Sequence, residues 1–150
     1  MRNRGFEKIT SYAQLDFPLP VRKTLTSAGY DFALPEEIVL APGKITLVPT
    51  GVKAYMLADE VLTINIRSSL AVKKGLSLVN NVGIIDADYY NNPDNEGHIM
   101  LALRNLNQEP LVLKKGDRLA QGIFYKYLTT DDDQESAKAK RSGGFGSTSK

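Results

Sequence analysis

Apolar and β-branched residues in this chain come in short runs, and each run is stopped by a turn residue within a few positions. Runs of roughly four to eight residues suit strands and are too short for the helices of a bundle. Glu37-Ile38-Val39-Leu40, then Pro42-Gly43, then Ile45-Thr46-Leu47-Val48 read as strand, turn, strand, and residues 51–56 follow as another strand. In Leu62-Thr63-Ile64-Asn65-Ile66-Arg67 the alternation is clean. It buries Leu62, Ile64 and Ile66 and turns Thr63, Asn65 and Arg67 to the other face. Residues 99–103, Leu111–Leu113 and residues 119–127 supply further strands, with Lys115-Gly116-Asp117 as the turn between the last two. The expected class is all-β, a distorted jelly roll.

One short helix is expected. Ser68 or Ser69 can cap its start, Leu70-Ala71-Val72-Lys73-Lys74 form it, and Gly75 sits where a left-handed residue closes a helix. Beyond Tyr127 the composition turns polar and charged, so residues 129–140 read as a flexible tether. The expected organisation is a β domain over residues 1–128 and a tether with a C-terminal arm over residues 129–150.

At 150 residues the chain forms one domain with a core of its own. It has no Cys, which excludes disulfides, thiolate nucleophiles and cysteine-bound zinc, and which fits a reducing cytoplasm, or a host cytoplasm if the source is viral. With 19 basic and 17 acidic residues the charge is too balanced for wrapping duplex nucleic acid. No stretch approaches the roughly 20 apolar residues of a membrane span, and the first residues lack the apolar segment of a signal peptide. No nucleic-acid or membrane partner is expected.

Asn80-Asn81-Val82-Gly83-Ile84-Ile85-Asp86-Ala87-Asp88-Tyr89 is the stretch richest in chemistry. Val79 ends an apolar run, Asn81 and Gly83 supply turn chemistry, and Ile84-Ile85 restarts an extended segment, so a hairpin is expected here. In extended backbone Asp86 and Asp88 share a face and Tyr89 takes the other. Alone, these residues fit either a pocket or two solvated acids with a rim aromatic. Arg67-Ser68-Ser69 sets a guanidinium and two hydroxyls at a helix start, where free amides favour phosphate, although an ordinary serine cap beside an exposed Arg has the same sequence. Asp31 follows Gly29 as a turn acid. His98, the only histidine, has no evident carboxylate partner and reads as structural, so no serine-type triad is available. Arg141-Ser142-Gly143-Gly144-Phe145-Gly146-Ser147-Thr148 has a linker's composition, yet a passive linker needs neither Arg141 nor Phe145.

In order, Ala28-Gly29-Tyr30-Asp31-Phe32, Arg67-Ser68-Ser69-Leu70-Ala71, the 80–89 stretch, Gly116-Asp117-Arg118-Leu119-Ala120-Gln121 and the tail motif resemble the five motifs of the trimeric all-β dUTP diphosphatase (dUTPase) family, over residues 18–148. The resemblance implies hydrolysis of dUTP to dUMP and pyrophosphate, which keeps uracil out of DNA and supplies dUMP for thymidylate synthesis. It implies Mg²⁺, bound mainly through substrate phosphates and water, with Asp31 reaching the metal through water. A homotrimer with active sites at subunit interfaces is also implied. Among residues, the resemblance gives catalytic parts to Asp86, Ser68, Gln121 and Arg67. Asp86 binds the 3′-hydroxyl and orients the water that attacks the α-phosphorus. Arg67, Ser68 and Ser69 hold the α- and β-phosphates, and Gln121 touches the phosphate chain. Asn80, Gly83, Ile84 and Ile85 read the uracil edge, Met100 belongs to the same substrate-binding set, and Tyr89 stacks under the deoxyribose. Arg141, Phe145, Gly146 and Ser147 form a closing arm that crosses to another subunit. Asp88 is left as a structural acid, and Asp117 and Arg118 make turn or inter-subunit contacts.

Two departures stand out. Tyr89 is followed by Tyr90-Asn91-Asn92-Pro93-Asp94-Asn95-Glu96 before Gly97, an insertion relative to the family, and Val79 and Ser142 stand where glycine is common. The related dCTP deaminases place their general-base Glu where this chain has Ala102, which leaves deamination without its proton-transfer group. A different class of reading, a protein-interaction or regulatory module, would use the loop at residues 90–97; no regulatory partner is identifiable from the sequence.

Overall fold

The computed structural model describes residues 1–133 and 138–146. It is mostly β-sheet with one short α-helix, and its elements run β1 (Gly5–Lys8), β2 (Tyr30–Ala33), β3 (Ile38–Leu40), β4 (Ile45–Pro49), β5 (Val52–Tyr55), β6 (Glu60–Ile66), α1 (Ser68–Lys74), β7 (Leu76–Leu78), β8 (Gly83–Asp86), β9 (Met100–Asn105), β10 (Leu111–Leu113) and β11 (Arg118–Lys126). The expected strands are all present, with ends moved by one or two residues. Among the described residues no helix is long and apolar enough to cross a membrane.

The strands form a four-stranded sheet ordered β2-β11-β6-β8, a three-stranded sheet β4-β9-β7, and two pairs, β1-β5 and β10-β3. The long antiparallel pairing of β6 with β11 runs from Ala120 opposite Ile66 to Lys126 opposite Glu60. The alternation read from the sequence sets its inner face, where Leu62 and Ile64 are fully buried. Phe32, Val48, Val52, Leu76, Leu103 and Leu119 complete the centre of the core.

Three local features differ from expectation. The run ending at Leu78 and the segment from Gly83 do not pair as a hairpin: β7 joins β9 and β8 joins β6, in different sheets. Local turn chemistry requires a reversal but does not choose the strand's partner. Neither serine caps α1. The N-cap is Arg67, with extended backbone and no side-chain cap bond, because β6 leads almost directly into the helix. Gly75 does close it, at φ 62°. Finally, β1 was not foreseen; it pairs with β5 and brings Phe6 within 5.4–5.6 Å of the Tyr30, Phe32 and Phe124 rings.

Two buried polar groups tie the sheets together. Asn105 is fully buried; its Nδ2 donates to the carbonyls of Leu40 at 2.9 Å and Glu109 at 2.8 Å, and its Oδ1 accepts from the Asn107 amide. Glu60, on the core side of β6, accepts from Arg4 Nε at 2.5 Å and from the Leu57 amide at 3.0 Å. His98 is likewise a structural group: its Nε2 accepts from the Gly51 amide at 2.9 Å, and burial lowers its pKa.

The Arg4 hydrogen bond holds the Glu60 carboxyl below the ordinary carboxylate range. Folded Glu60 therefore takes up its proton at lower pH than the unfolded chain. Its contribution is complete at neutral pH, weakens as pH falls below about 4.3 and is gone once pH has passed the depressed folded value. Thermal melts between pH 6 and pH 3 should show a shallower loss of Tm in Arg4→Met than in the unsubstituted protein; parallel curves would exclude this ion pair as a source of acid sensitivity.

Candidate functional site

Because β7 and β8 belong to different sheets, residues 79–82 cross from one sheet to the other. Crossing opens a cleft. The Val79 amide donates to Ala102 O at 2.9 Å, the Asn81 amide to Leu78 O at 2.9 Å, and Asn81 itself adopts φ 64°, a conformation asparagine tolerates better than most residues. The cleft, about 350 Å³, is lined by Asn80 and its neighbours Leu78 and Val79, by Gly83, Ile84, Ile85 and Asp86 of β8, by Tyr89, by Met100, Leu101 and Ala102 of β9, and by Ile64. Arg141, Gly144 and Phe145 of the arm complete the lining.

The expected substrate-binding residues Asn80, Gly83, Ile84, Ile85, Asp86, Tyr89, Met100, Arg141 and Phe145 are thus brought to one place. Gly146 is described but does not line the cleft, and Ser147 lies outside the described residues. Ala102 and Gly144 were not foreseen as lining residues. Ala102 was legible from strand period, since it stands two residues after Met100 on the same face. Gly144 was not: a Cβ there would come within 2.8 Å of the Tyr89 ring, a contact that exists only in three dimensions.

Asp86 ends β8, and the chain then enters a 3-10 turn, Ala87–Tyr89. The extended face expected to carry Asp86 and Asp88 ends there, and the turn instead aims both acids at one cation. Arg141 Nη2 lies 2.6 Å from Asp86 Oδ2 and its Nε 2.8 Å from Asp88 Oδ1. Asp88 is therefore not merely a structural acid in this state, because it helps seat the arm. Both acids are more than half exposed, so water and ions compete for the contact. In the single chain the arm rests on its own cleft, whereas the resemblance implies an arm that crosses to another copy. Tyr89 is 7% exposed; its hydroxyl donates to His98 O at 2.7 Å and accepts from Asn95 Nδ2 at 2.8 Å. Burial pushes the phenol above its usual pKa and keeps it protonated.

A second cleft of about 220 Å³ is lined by Lys23, Ser27, Gly29, Asp31, Arg67, Ser68 and Gln121. Strand register assembles it: Gln121 of β11 stands opposite Asp31 on one side and Asn65 on the other. Gly29 leaves room for the Gln121 side chain, since a Cβ there would lie 2.7 Å from Gln121 Oε1. Asp31 Oδ2 accepts from Arg118 Nη1 at 3.0 Å, so Arg118 shapes this cleft from within the chain, while Asp117 caps its own turn by accepting the Lys114 amide at 2.9 Å. Ser69 lines neither cleft. The amides of Ser68 and Ser69, in the first helical turn, have no helical carbonyl to donate to. The two clefts share no lining residue.

The apolar slot, edged by strand groups that no other described strand pairs with, suits a planar ligand, and the separate polar cleft, with its cationic and hydroxyl donors, suits an anionic one. A family model for dUTPase matches residues 16–149. The chain belongs to the dUTPase family. Among its relatives, the deoxyuridine 5′-triphosphate nucleotidohydrolase of Lactococcus lactis subsp. lactis (strain IL1403) is 52% identical over 148 residues, 99% of each chain. The enzyme of the same name from Rickettsia felis is 38% identical over 94% of this chain and 95% of its own. A crystal structure of dUTPase from Streptococcus mutans superposes with a TM-score of 0.80 at 50% identity, covering 85% of this chain and 98% of that one. The D95N dUTPase of phage phi11 of S. aureus, which coordinates a structural Mg(II) ion, shares the fold at a TM-score of 0.71 and 21% identity, over 89% of this chain and 96% of its own.

Among the described residues no group of three or more His, Asp or Glu is placed to hold a metal ion. Asp31 is the one carboxylate in the polar cleft, and Arg118 already holds one of its oxygens. That donor set fits a dUTPase metal carried chiefly by ligand phosphates and water, and it does not fit an all-protein cage.

Tyr89→Phe removes a hydroxyl with two partly buried hydrogen-bond partners, at about 1 kcal/mol. Urea denaturation should show that loss with an unchanged m-value; a midpoint within error of the unsubstituted protein would contradict the hydrogen bonds drawn here.

Proposed function

We propose that this protein hydrolyses dUTP to dUMP and pyrophosphate, in the cytoplasm, keeping uracil out of DNA and supplying dUMP for thymidylate synthesis. The observation that carries the reading is the cleft between the two sheets, where a carboxylate, a buried tyrosine and the free edge of β8 surround a slot of base size. Uracil enters between residues 79–85 and Met100, with Asn80 and the β8 backbone pairing with its edge. A site built on such hydrogen bonds rejects analogues with the wrong donor pattern by roughly 10⁴ to 10⁵. The deoxyribose lies on Tyr89, and Asp86 binds its 3′-hydroxyl.

Asp86 also takes a proton from the attacking water. The water oxygen bonds to the α-phosphorus, the bond from that phosphorus to the bridging oxygen breaks, and pyrophosphate leaves. Positioning and charge stabilisation suffice for such an in-line displacement, and no covalent intermediate is needed. Arg67, Ser68, Ser69 and Gln121 hold the phosphate chain. Asp31 would reach a Mg²⁺ ion carried by the substrate phosphates through water, and the ion would supply neutralisation of phosphate charge. Arg141 leaves Asp86 and Asp88 for the phosphates, Phe145 stacks on the base, and Gly146 and Ser147 offer amides to the terminal phosphate. In this reading residues 1–128 are the catalytic domain and residues 129–150 the tether and arm. The homotrimer implied by the resemblance is compatible with this division: the nucleotide slot and the phosphate cleft share no lining residue within one chain, so a neighbouring copy would supply the second.

The deaminase alternative is disfavoured by Ala102, which lines the cleft without a carboxyl group. Pyrophosphate release from dUTP, dCTP, dTTP and UTP, measured side by side, should be confined to dUTP. Asp86→Asn should lower it by several orders of magnitude, as loss of a positioned base does, at least roughly 10²-fold. Comparable turnover of dCTP, or an undiminished Asp86→Asn, would sink the proposal. Truncation after Lys140 should cost a large part of the turnover while leaving the oligomer intact by sedimentation; full activity in the truncated chain would remove Arg141 and Phe145 from the mechanism.

A further inference from the structure

The loop at residues 90–97 departs from the family pattern beside the site, and no role above uses it. It is built to be rigid. Asn91 (φ 55°) and Glu96 (φ 66°) hold left-handed backbone, which non-glycine residues keep only when their surroundings enforce it. Lys53 Nζ supplies that hold, bonding Asn91 Oδ1 at 2.5 Å and Glu96 Oε2 at 2.8 Å, and Thr10 gives its amide and hydroxyl to the Glu96 carboxylate. Inside the loop Asn92 is 5% exposed and fully used. Its Nδ2 donates to Tyr89 O and Asn95 Oδ1, and its Oδ1 accepts from the amides of Asp94 and Asn95.

Anchored to the sheet on one side and to Tyr89 on the other, the loop makes a third contact, with the arm. The Asp94 amide donates to Ser142 O at 3.1 Å. Gly143 passes so close that a Cβ on it would lie 2.8 Å from both Asp94 Cβ and Asp94 Oδ2. Gly143 is not among the positive-φ glycines, so its backbone tolerates alanine, and the nearness of Asp94 is what a methyl group there would meet.

We infer that the 90–97 loop is the docking site of the C-terminal arm, with Asp94 a positioning residue that seats Ser142 and Gly143 and thereby aims Arg141 and Phe145 at the cleft. The inference rests on the arm's place in the proposed nucleotide site. Two readouts test it in the full-length protein: KM and kcat for dUTP, and, without ligand, the rate of tryptic cleavage after Arg141 followed by mass spectrometry. Gly143→Ala should raise KM roughly 10- to 100-fold, the scale of an ångström-sized misplacement. It should also speed cleavage about tenfold, because cleavage follows the population of undocked arm. Adding Asp94→Gly removes the atoms the new methyl group meets and should return both readouts toward the unsubstituted values. Unchanged cleavage in Gly143→Ala, or a double variant no better than the single one, overturns the docking. Cleavage needs no turnover, so a protein that releases no pyrophosphate from dUTP would defeat the activity reading and leave this test intact.

Discussion

The antiparallel pairing of β6 with β11 is the contact from which the rest of the molecule is laid out. Its register sets Ile64 opposite Gly122 and, through β6 to β8, opposite Gly83, so the floor of the apolar cleft and the centre of the sheet are fixed together. Two residues beyond β6's last pairing, Ser68 opens the helix, and Gln121 stands across from Asn65, so the polar cleft takes its position from the same ladder. Gly122 makes the pairing compact. A Cβ there would sit 3.0 Å from both the Phe32 and Leu62 side chains, so its absence leaves both groups room against the strand.

Charge in this protein is handled by pairs placed where a segment must be held. Arg4 with Glu60 fastens the N-terminal segment to the start of β6, Lys53 with Glu96 fastens the inserted loop, Arg118 with Asp31 joins β11 to β2, and Arg141 with Asp86 and Asp88 seats the arm. The first three use a side chain that is at most about one-third exposed, where attraction is less screened than in water. The arm's acids are more open to solvent. A contact of that kind is readily exchanged for another anion, as the closing arm proposed above would require.

Strand positions, the left-handed Gly75 and the grouping of site residues on the 80–89 stretch were legible in the sequence, because strand period and turn chemistry are local. Partners were not. The expected hairpin at residues 79–85 fails because a reversal says nothing about which sheet each arm joins, and the serine cap fails because the strand runs into the helix before a serine can take that place. Asp31 gave no sign of Arg118, which lies 87 positions away. The N-terminal Gly5–Lys8 strand carries one strongly apolar residue, Phe6, and only the rings around it reveal why the segment is ordered.

The position of β8 has a further consequence. Among the described strands it pairs with β6 alone, and Ile84 on it is 64% exposed. An edge of this kind offers an unused row of N–H and C=O groups and, beside an apolar side chain, is the sort of surface along which chains zip into aggregates. In the function proposed above, a base with alternating donors and acceptors would occupy this row much as another strand does, and the hazard would serve as a recognition device.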